Sequence, residues 1–143
     1  MSDLLCIFGP NGSGKTRLLQ MIEQVVVSAP GGKVLRVGVE MLADELVRAL
    51  HVSAIASFRR KYHEIDTLLI DNLWVLCSRP HTTTEICGVI QKRRNAGRLT
   101  AVVSDLLPEE WAVRNNKIYA LLQSGQQIVA KDFQFLMDSP FTA

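Results

Sequence analysis

The sequence predicts an α/β domain with a parallel sheet, and three observations lead to this fold class. Short apolar segments alternate with longer segments of helical periodicity, beginning with Leu4–Phe8 and Lys15–Ser28. A glycine-rich loop, Gly9–Gly14, joins these two segments. The 143 residues are enough for one domain with a hydrophobic core and too few for two ordinary ones. Strands that alternate with helices favour a parallel sheet covered by helices on both faces.

The predicted elements follow the chain in a regular alternation. Leu4–Phe8 is a short apolar run that ends in glycine, as a buried parallel strand does. Lys15–Ser28 carries apolar residues at helical spacing, and the turn Pro30-Gly31-Gly32 closes it. The later elements are strand Val34–Val39, helices Ala43–Leu50 and Ser53–Tyr62, strand Leu68–Ile70 continuing into Asp71, helix Thr84–Arg94, strand Leu99–Val103, helix Glu109–Leu122 and strand Gln127–Val129.

The composition is that of a globular protein and excludes several classes. Apolar residues make up 48% of the chain and charged residues 21%. The net charge of +2 is too small to indicate a nucleic-acid partner by itself. No apolar run reaches the roughly 18 residues that span a bilayer, so no membrane association is expected. The three cysteines have no metal-type spacing, which favours reduced thiols in a cytoplasmic protein.

The strongest motif is a phosphate-binding loop. Gly9–Thr16 fits the pattern G-x-x-x-x-G-K-[ST] in full, between a predicted strand and a predicted helix. Glycines let backbone N–H groups surround phosphate oxygens, and the helix N-terminus adds partial positive charge. Lys15 would contact the β- and γ-phosphates, and the Thr16 hydroxyl would ligate Mg²⁺. The sequence thus predicts a P-loop NTPase that binds ATP and Mg²⁺ through Gly9, Pro10, Asn11, Gly12, Ser13, Gly14, Lys15, Thr16 and Arg17.

Polar residues at two other strand ends complete the predicted site. Asp71 ends the third strand, where P-loop proteins place a carboxylate for the magnesium shell. Many ATPases carry a second acid next to it, but Asn72 stands here, and an amide cannot accept a proton from water at neutral pH. Asp105, after the fourth strand, is a candidate for orienting the attacking water; a turn before Pro108 is the alternative role.

Six parts of the chain together form a pattern that is specific to one family. They are Glu40–Leu50, Ala54-Ile55, Phe58–Tyr62, Asp66–Asp71, Val102–Asp105 and Pro108. These segments resemble the ATPase core of the bacterial replication initiator DnaA, a branch of the AAA+ ATPases, and the resemblance covers nearly the whole chain. It implies a sheet of order 5-1-4-3-2, ATP binding, ATP-dependent self-assembly and contact with single-stranded DNA.

The chain departs from this family pattern in ways that concern hydrolysis. The family's second acidic residue corresponds to Asn72, and its trans-acting arginine would fall near Leu121, where the nearest basic residues are Arg114 and Lys117. We expect residues 1–143 to form one ATPase core without a helical lid or a C-terminal DNA-binding domain, as a minimal protein or as a fragment. Hydrolysis by the chain alone is expected to be absent or slow.

The resemblance also suggests nucleic-acid contacts. The family's residues for single-stranded DNA correspond to Val47, Arg79 and His81. The most basic stretch, with Arg59, Arg60 and Lys61, is a further candidate. Its alternative is a solvated helix face, with the flanking aromatic residues packed inward.

Other basic and aromatic residues have structural explanations. The cluster Lys92–Arg94 with Arg98 lies at a predicted helix end, where it complements the helix dipole. Trp74 and Trp111 are expected to pack in the core and not to stack on bases.

The preferred function is an ATP-binding, DnaA-like module in replication initiation or its regulation, assembling with itself or with an initiator. The alternative is an active ATPase completed in trans by an initiator that supplies the arginine finger and lid. A transporter-type ATP cassette is disfavoured because no Ser-Gly-Gly-Gln signature precedes Leu68. A small-molecule kinase is disfavoured because the chain lacks an arginine-rich lid.

Overall fold

The computed structural model of the chain describes residues 3–10, 14–28 and 32–129. The strands of this part are β1 (Leu4–Phe8), β2 (Val34–Gly38), β3 (Thr67–Asp71), β4 (Leu99–Ser104) and β5 (Gln126–Val129). The α-helices are α1 (Lys15–Ser28), α2 (Val39–His51), α3 (Ile55–Glu64), α4 (Pro80–Asn95), α5 (Pro108–Arg114) and α6 (Asn116–Gln123). A 3-10 helix, Leu73–Ser78, follows β3. None of the helices in these ranges is long and apolar enough to cross a membrane.

The five strands form one parallel sheet in the order β2-β3-β4-β1-β5. This is the expected order 5-1-4-3-2 read from the other edge, so that prediction is confirmed. β1 lies between β4 and β5, with Phe8 opposite both Ser104 and Val129. The central strands have nearly continuous apolar sequences because both of their faces are buried.

Helices cover both faces of the sheet, as predicted. On one face, Leu19 of α1 packs on Ile7, Leu69 and Val103 from the three central strands. The other face is covered by α2 to α6, and its larger core contains Phe58, Tyr62 and Trp111. Alternate residues of each strand belong to the two cores, as the pleat of a strand requires.

Several predicted boundaries moved, and the starts of two helices lie earlier because buried residues extend these helices. The second strand ends at Gly38, and Val39 already belongs to α2, where it is buried with Leu42 and Leu46 at helical spacing. The predicted helix Thr84–Arg94 begins earlier, at Pro80, a residue well suited to a first helical turn.

The predicted helix Glu109–Leu122 is two helices, which is a correction. Asn115 has extended backbone angles, φ −159° and ψ 100°, and its side-chain oxygen accepts a hydrogen bond from the Ile118 amide at 3.1 Å. Asparagine at this position caps a new helix. The chain therefore changes direction between α5 and α6 and keeps both helices on the core.

The basic cluster lies in the last turn of α4, as predicted, but one of its members is buried. Arg93 is 0% exposed. Its guanidinium donates to the Thr100 hydroxyl at 2.8 Å and to four backbone carbonyls, those of Tyr62, Ile65, Asp66 and Leu99. Burial lowers its pKa to about 10. Arg93 therefore joins α4 to the starts of β3 and β4.

Trp74 is a further correction, since it is 48% exposed although core packing was expected. It lies on the 3-10 helix, which the sequence analysis did not predict. With about three residues per turn, this helix turns Leu73 and Leu76 inward and leaves Trp74 outside. Trp111, in contrast, is fully buried, as predicted.

Candidate nucleotide-binding site

The predicted site residues meet at the carboxyl ends of β1, β3 and β4. The Gly9 amide, after β1, donates a hydrogen bond to the Ser104 carbonyl at the end of β4, at 3.2 Å. A cleft of about 510 Å³ lies at this edge of the sheet. It is lined by Gly14, Lys15, Thr16, Arg17, Gln20, Asp71, Asn72, Val103 and Asp105. Ligands of open α/β sheets bind at this edge.

Lys15 is a buried residue of the cleft whose ammonium group contacts two partners. It is the first residue of α1 and is only 6% exposed. Its Nζ donates to the Pro10 carbonyl at 2.6 Å and lies 2.9 Å from Asp105 Oδ1. A buried ammonium needs such partners because burial without them is costly. The loop residues Asn11, Gly12 and Ser13, predicted to contact phosphate, lie outside the described residues.

The residue before α1 has a backbone conformation that favours glycine. Gly14 has φ +93°, which L-residues with a side chain rarely adopt, and its carbonyl accepts from the Leu18 amide at 3.0 Å. The exposed Thr16 and Arg17 follow in the first turn and border the cleft. The amides of this turn, with the helix dipole, make the cleft attractive to an anion.

Asp71 and Thr16 present oxygen ligands to the same cleft. Asp71 Oδ1 accepts the Asn72 amide at 2.8 Å, which orients the carboxylate at the strand end. A carboxylate accepts further bonds at both oxygens, and carboxylate and hydroxyl oxygens suit Mg²⁺. These two residues therefore fit a magnesium ion that retains part of its water shell.

Asn72 lies beside a carboxylate that the sequence analysis did not identify. Its backbone is left-handed, φ 60° and ψ 44°, a conformation that asparagine tolerates. Its Nδ2 lies 3.4 Å from Glu40 Oε2, in the first turn of α2. A side-chain carbon at Gly38 would lie 2.9 Å from that oxygen, so the glycine leaves room for Glu40. The only signal in the sequence was an acidic residue directly after the predicted strand Val34–Val39.

The loop that carries Asp105 is built around the Ser104 hydroxyl. Ser104 Oγ accepts from the Leu106 amide at 3.0 Å and donates to the Leu106 carbonyl at 2.9 Å. It also accepts from Trp111 Nε1 at 2.8 Å. Nothing in the sequence predicted this contact of Trp111, since its distance from Ser104 depends on how α5 turns back onto β4.

Comparison with known protein families agrees with this geometry. The model of the bacterial DnaA ATPase domain matches residues 2–129. The chain belongs to this family. Among curated DnaA proteins, chromosomal replication initiator protein DnaA 1 of Chlamydia pneumoniae is 30% identical over 122 residues, covering 85% of this chain and 26% of that protein. The Thermotoga maritima DnaA is 30% identical over 129 residues, covering 89% of this chain and 29% of that protein. The chain thus spans between a quarter and a third of the length of these relatives.

Solved DnaA structures have the same fold. Domain III of the Thermotoga maritima replication initiation protein DnaA superposes with a TM-score of 0.83 at 27% identity, covering 90% of this chain and 54% of that one. A replication initiator DnaA bound to AMPPCP and single-stranded DNA superposes with a TM-score of 0.81 at 23% identity, covering 89% and 40%. The AMPPCP-bound DnaA of Aquifex aeolicus gives a TM-score of 0.80 at 21% identity, covering 96% and 44%. The last two likenesses show the fold.

Two of the residues suggested for DNA contact lie together on the surface. Val47, 45% exposed on α2, borders a hollow of about 480 Å³ with Asp44, Arg48 and Arg79. Arg79 is exposed and precedes α4. His81, in the first turn of α4, is exposed as well. Arg48 is a neighbour that the sequence analysis did not name.

The basic stretch of α3 is engaged in ion pairs. Arg59 forms a two-pronged contact with Glu85, at 2.7 and 3.1 Å, and Lys61 lies 3.1 Å from Glu45. Arg60 is exposed. The flanking Phe58 and Tyr62 are buried with ring centroids 5.0 Å apart. This arrangement favours the alternative that the sequence left open, a solvated helix face over an aromatic core.

Proposed function

We propose that the chain binds ATP with Mg²⁺ in the cleft and acts as a nucleotide-dependent module in replication initiation or its regulation. The environment of Lys15 carries this proposal. Its ammonium is buried and contacts the Pro10 carbonyl and Asp105. Carboxylate and hydroxyl oxygens for a magnesium ion line the same cleft. A triphosphate matches this combination because it offers several negative oxygens to the ammonium, the loop amides and the metal ion together.

Calorimetric titration tests the proposal directly. ATP should bind with Mg²⁺, and Lys15→Ala should weaken binding by roughly ten- to a hundredfold, as expected for loss of a charged hydrogen-bond donor. Lys117→Ala is the matched control, because Lys117 is exposed on α6, away from the cleft. Equal ATP affinities for the Lys15→Ala variant and the unchanged chain would refute the proposal. A parallel GTP titration measures the base preference.

We further propose that the chain alone hydrolyses ATP slowly or not at all. Asn72 holds the position next to Asp71 where many ATPases carry the second acid, and α6 contains no arginine. An amide can orient water but cannot remove its proton. Steady-state phosphate release near one per second would contradict this.

The alternative is an ATPase completed in trans, in which an initiator from the same host supplies an arginine finger. Membership of the DnaA ATPase-domain family supports testing it. Phosphate release should be compared with and without saturating full-length initiator. Stimulation by the initiator, and its loss in a Lys15→Ala chain, would favour the alternative. Unchanged rates would exclude it.

Contact with single-stranded DNA through Val47, Arg79 and His81 is proposed as a second property of the module. The exposed arginines Arg48 and Arg79 around one hollow support it, while the ion-paired Arg59 and Lys61 make the α3 stretch a weaker candidate. Fluorescence anisotropy with a labelled dT oligonucleotide should show ATP-dependent binding that decreases with salt. Arg79→Ala should weaken it, and Arg60→Ala should not. A larger effect of Arg60→Ala would move the interface to α3.

A further inference from the structure

Asp105 contacts Lys15 in the cleft. Its two neighbours in the chain, Ser104 and Leu106, are joined by hydrogen bonds of the Ser104 hydroxyl group. Asp105 Oδ1 lies 2.9 Å from Lys15 Nζ. The preceding Ser104 donates through Oγ to the Leu106 carbonyl and accepts from the Leu106 amide. The carbonyl of the same serine accepts the Gly9 amide at the start of the phosphate loop. The position of the Asp105 carboxylate therefore depends on how firmly Ser104 is oriented.

Trp111 completes the hydrogen bonds of that hydroxyl. A serine hydroxyl has one proton to donate and two lone pairs that accept. Ser104 Oγ donates its proton to the Leu106 carbonyl. Its two lone pairs accept hydrogen bonds from the Leu106 amide and from Trp111 Nε1, the latter at 2.8 Å. The indole is 0% exposed and its N–H can only donate. The Ser104 hydroxyl and the Trp111 indole therefore each keep a single orientation.

The start of α5 keeps Trp111 in place. The Leu107 amide donates to Glu110 Oε1 at 3.2 Å, and the Leu107 carbonyl accepts the amides of Glu110 and Trp111. Pro108 begins the helix. Trp111 therefore extends to Ser104 from a hydrogen-bonded first turn, and its ring packs in the larger core.

We infer that Trp111 is a positioning residue for the nucleotide site, acting on Asp105 through Ser104. Asp105 in turn holds the Lys15 ammonium toward the cleft, so that less side-chain freedom is lost when phosphates bind. This role rests on the proposed function, since it concerns the same cleft. Trp111 itself touches no ligand in this scheme.

Trp111→Phe tests the inference because it removes the indole N–H and keeps an aromatic ring in the core. ATP binding should weaken by about fivefold, the effect of losing one hydrogen bond at one remove from the ligand. In an Asp105→Asn background, Trp111→Phe should alter the ATP dissociation constant by less than about twofold, because both substitutions act through the carboxylate of Asp105. An equal loss in both backgrounds would overturn the inference.

A nucleotide-free measurement separates this inference from the proposed function. Amide hydrogen exchange at Leu106 should accelerate by about tenfold or more in Trp111→Phe, since its acceptor is no longer held. Ile118→Val is the matched control, a small loss of packing in the same core that leaves Ser104 untouched. Unchanged exchange at Leu106 would also overturn the inference. If the unchanged chain binds no ATP, the proposed function fails, and the exchange result then decides only whether Trp111 orients Ser104 and the Leu106 amide.

Ser104→Ala removes the acceptor of Trp111 Nε1 together with both hydrogen bonds to Leu106, so it tests the link from Ser104 to Asp105 if Trp111→Phe does not fold. It should reproduce both effects, the faster exchange at Leu106 and the ATP loss that disappears with Asp105→Asn. A Ser104→Ala chain with normal exchange and normal ATP affinity would overturn the inference equally.

Discussion

Glu40 Oε2 lies 3.4 Å from Asn72 Nδ2, so a carboxylate from α2 adjoins the residue at the second acidic position of the site. The carboxylate only accepts hydrogen bonds, and it therefore orients the amide with its nitrogen toward Glu40. The amide oxygen is then directed away from Glu40. We expect this pair to affect hydrolysis more than binding, because Asn72 directly follows Asp71 and its backbone amide donates to that carboxylate.

Asn72→Asp should raise ATP hydrolysis by about ten- to a hundredfold, because a carboxylate can accept a proton from water where an amide cannot. Single-turnover phosphate release with bound ATP measures the change. Asn72→Ala serves as the control and should not accelerate the reaction. A rate that stays at the unchanged level in Asn72→Asp would show that another missing group limits hydrolysis.

The same substitution should lower the midpoint of thermal unfolding, because two carboxylates would then face each other. Adding Glu40→Gln should restore the midpoint, since it removes one charge and keeps the shape. Differential scanning calorimetry of the single and double variants measures this coupling. Additive effects of the two substitutions would mean that Glu40 and residue 72 do not interact.

Asp71→Asn should remove most of the magnesium dependence of ATP binding. The unchanged chain is expected to bind ATP about tenfold more tightly with Mg²⁺ than with EDTA, and the variant should lose this difference because a hard cation prefers an ionised oxygen ligand. Asp66→Asn is a matched control, since Asp66 directly precedes Thr67, the first residue of β3, at the opposite end of the strand from Asp71. A magnesium effect that persists in Asp71→Asn would assign the metal to other groups.

Arg93→Met should destabilise the fold by about 3–5 kcal/mol, because it leaves four carbonyls and the Thr100 hydroxyl without their buried donor. Urea denaturation measures the change in the free energy of unfolding. Arg94→Met is the control and should cost about 1 kcal/mol or less, since the hydrogen bonds of Arg94 to Ser124 are exposed at the surface. Similar costs for the two variants would contradict the role assigned to Arg93.

Cys6 should resist thiol reagents until the chain unfolds. Burial in β1 raises the pKa of its thiol to about 12, an effect that Arg94 partly offsets. Because this pKa lies above the ordinary value of 9.0, the thiol contributes stability below pH 9 that is lost as pH rises toward 12. Labelling at pH 8 followed by mass spectrometry should modify Cys77 and Cys87 before Cys6. Early modification of Cys6 would indicate that β1 opens locally.

Local patterns in the sequence were sufficient to predict the fold class and to place most of the candidate-site residues at one cleft. The phosphate loop is contiguous, and the acidic and polar residues at 71, 72 and 105 follow apolar strands, so position in the chain implied position at one edge of the sheet. The strand order followed from the family resemblance, and the structure confirms it. The DNA-contact residues remain predictions.

The contacts that depend on helix packing could not be derived from local patterns. Glu40 reaches Asn72 because α2 begins at Val39, four residues before the predicted helix start at Ala43, and Trp111 reaches Ser104 because α5 turns back onto β4. The sequence placed Arg93 at a helix end, where it complements the helix dipole, and only the packing of α4 on the sheet showed that carbonyls at the starts of β3 and β4 surround it. By itself, the sequence determined which residues carry charge, hydroxyl or glycine at each strand end. The tertiary structure decided which of them meet, since hydrogen bonds between residues 7 to 32 positions apart form only when separate elements pack on one core.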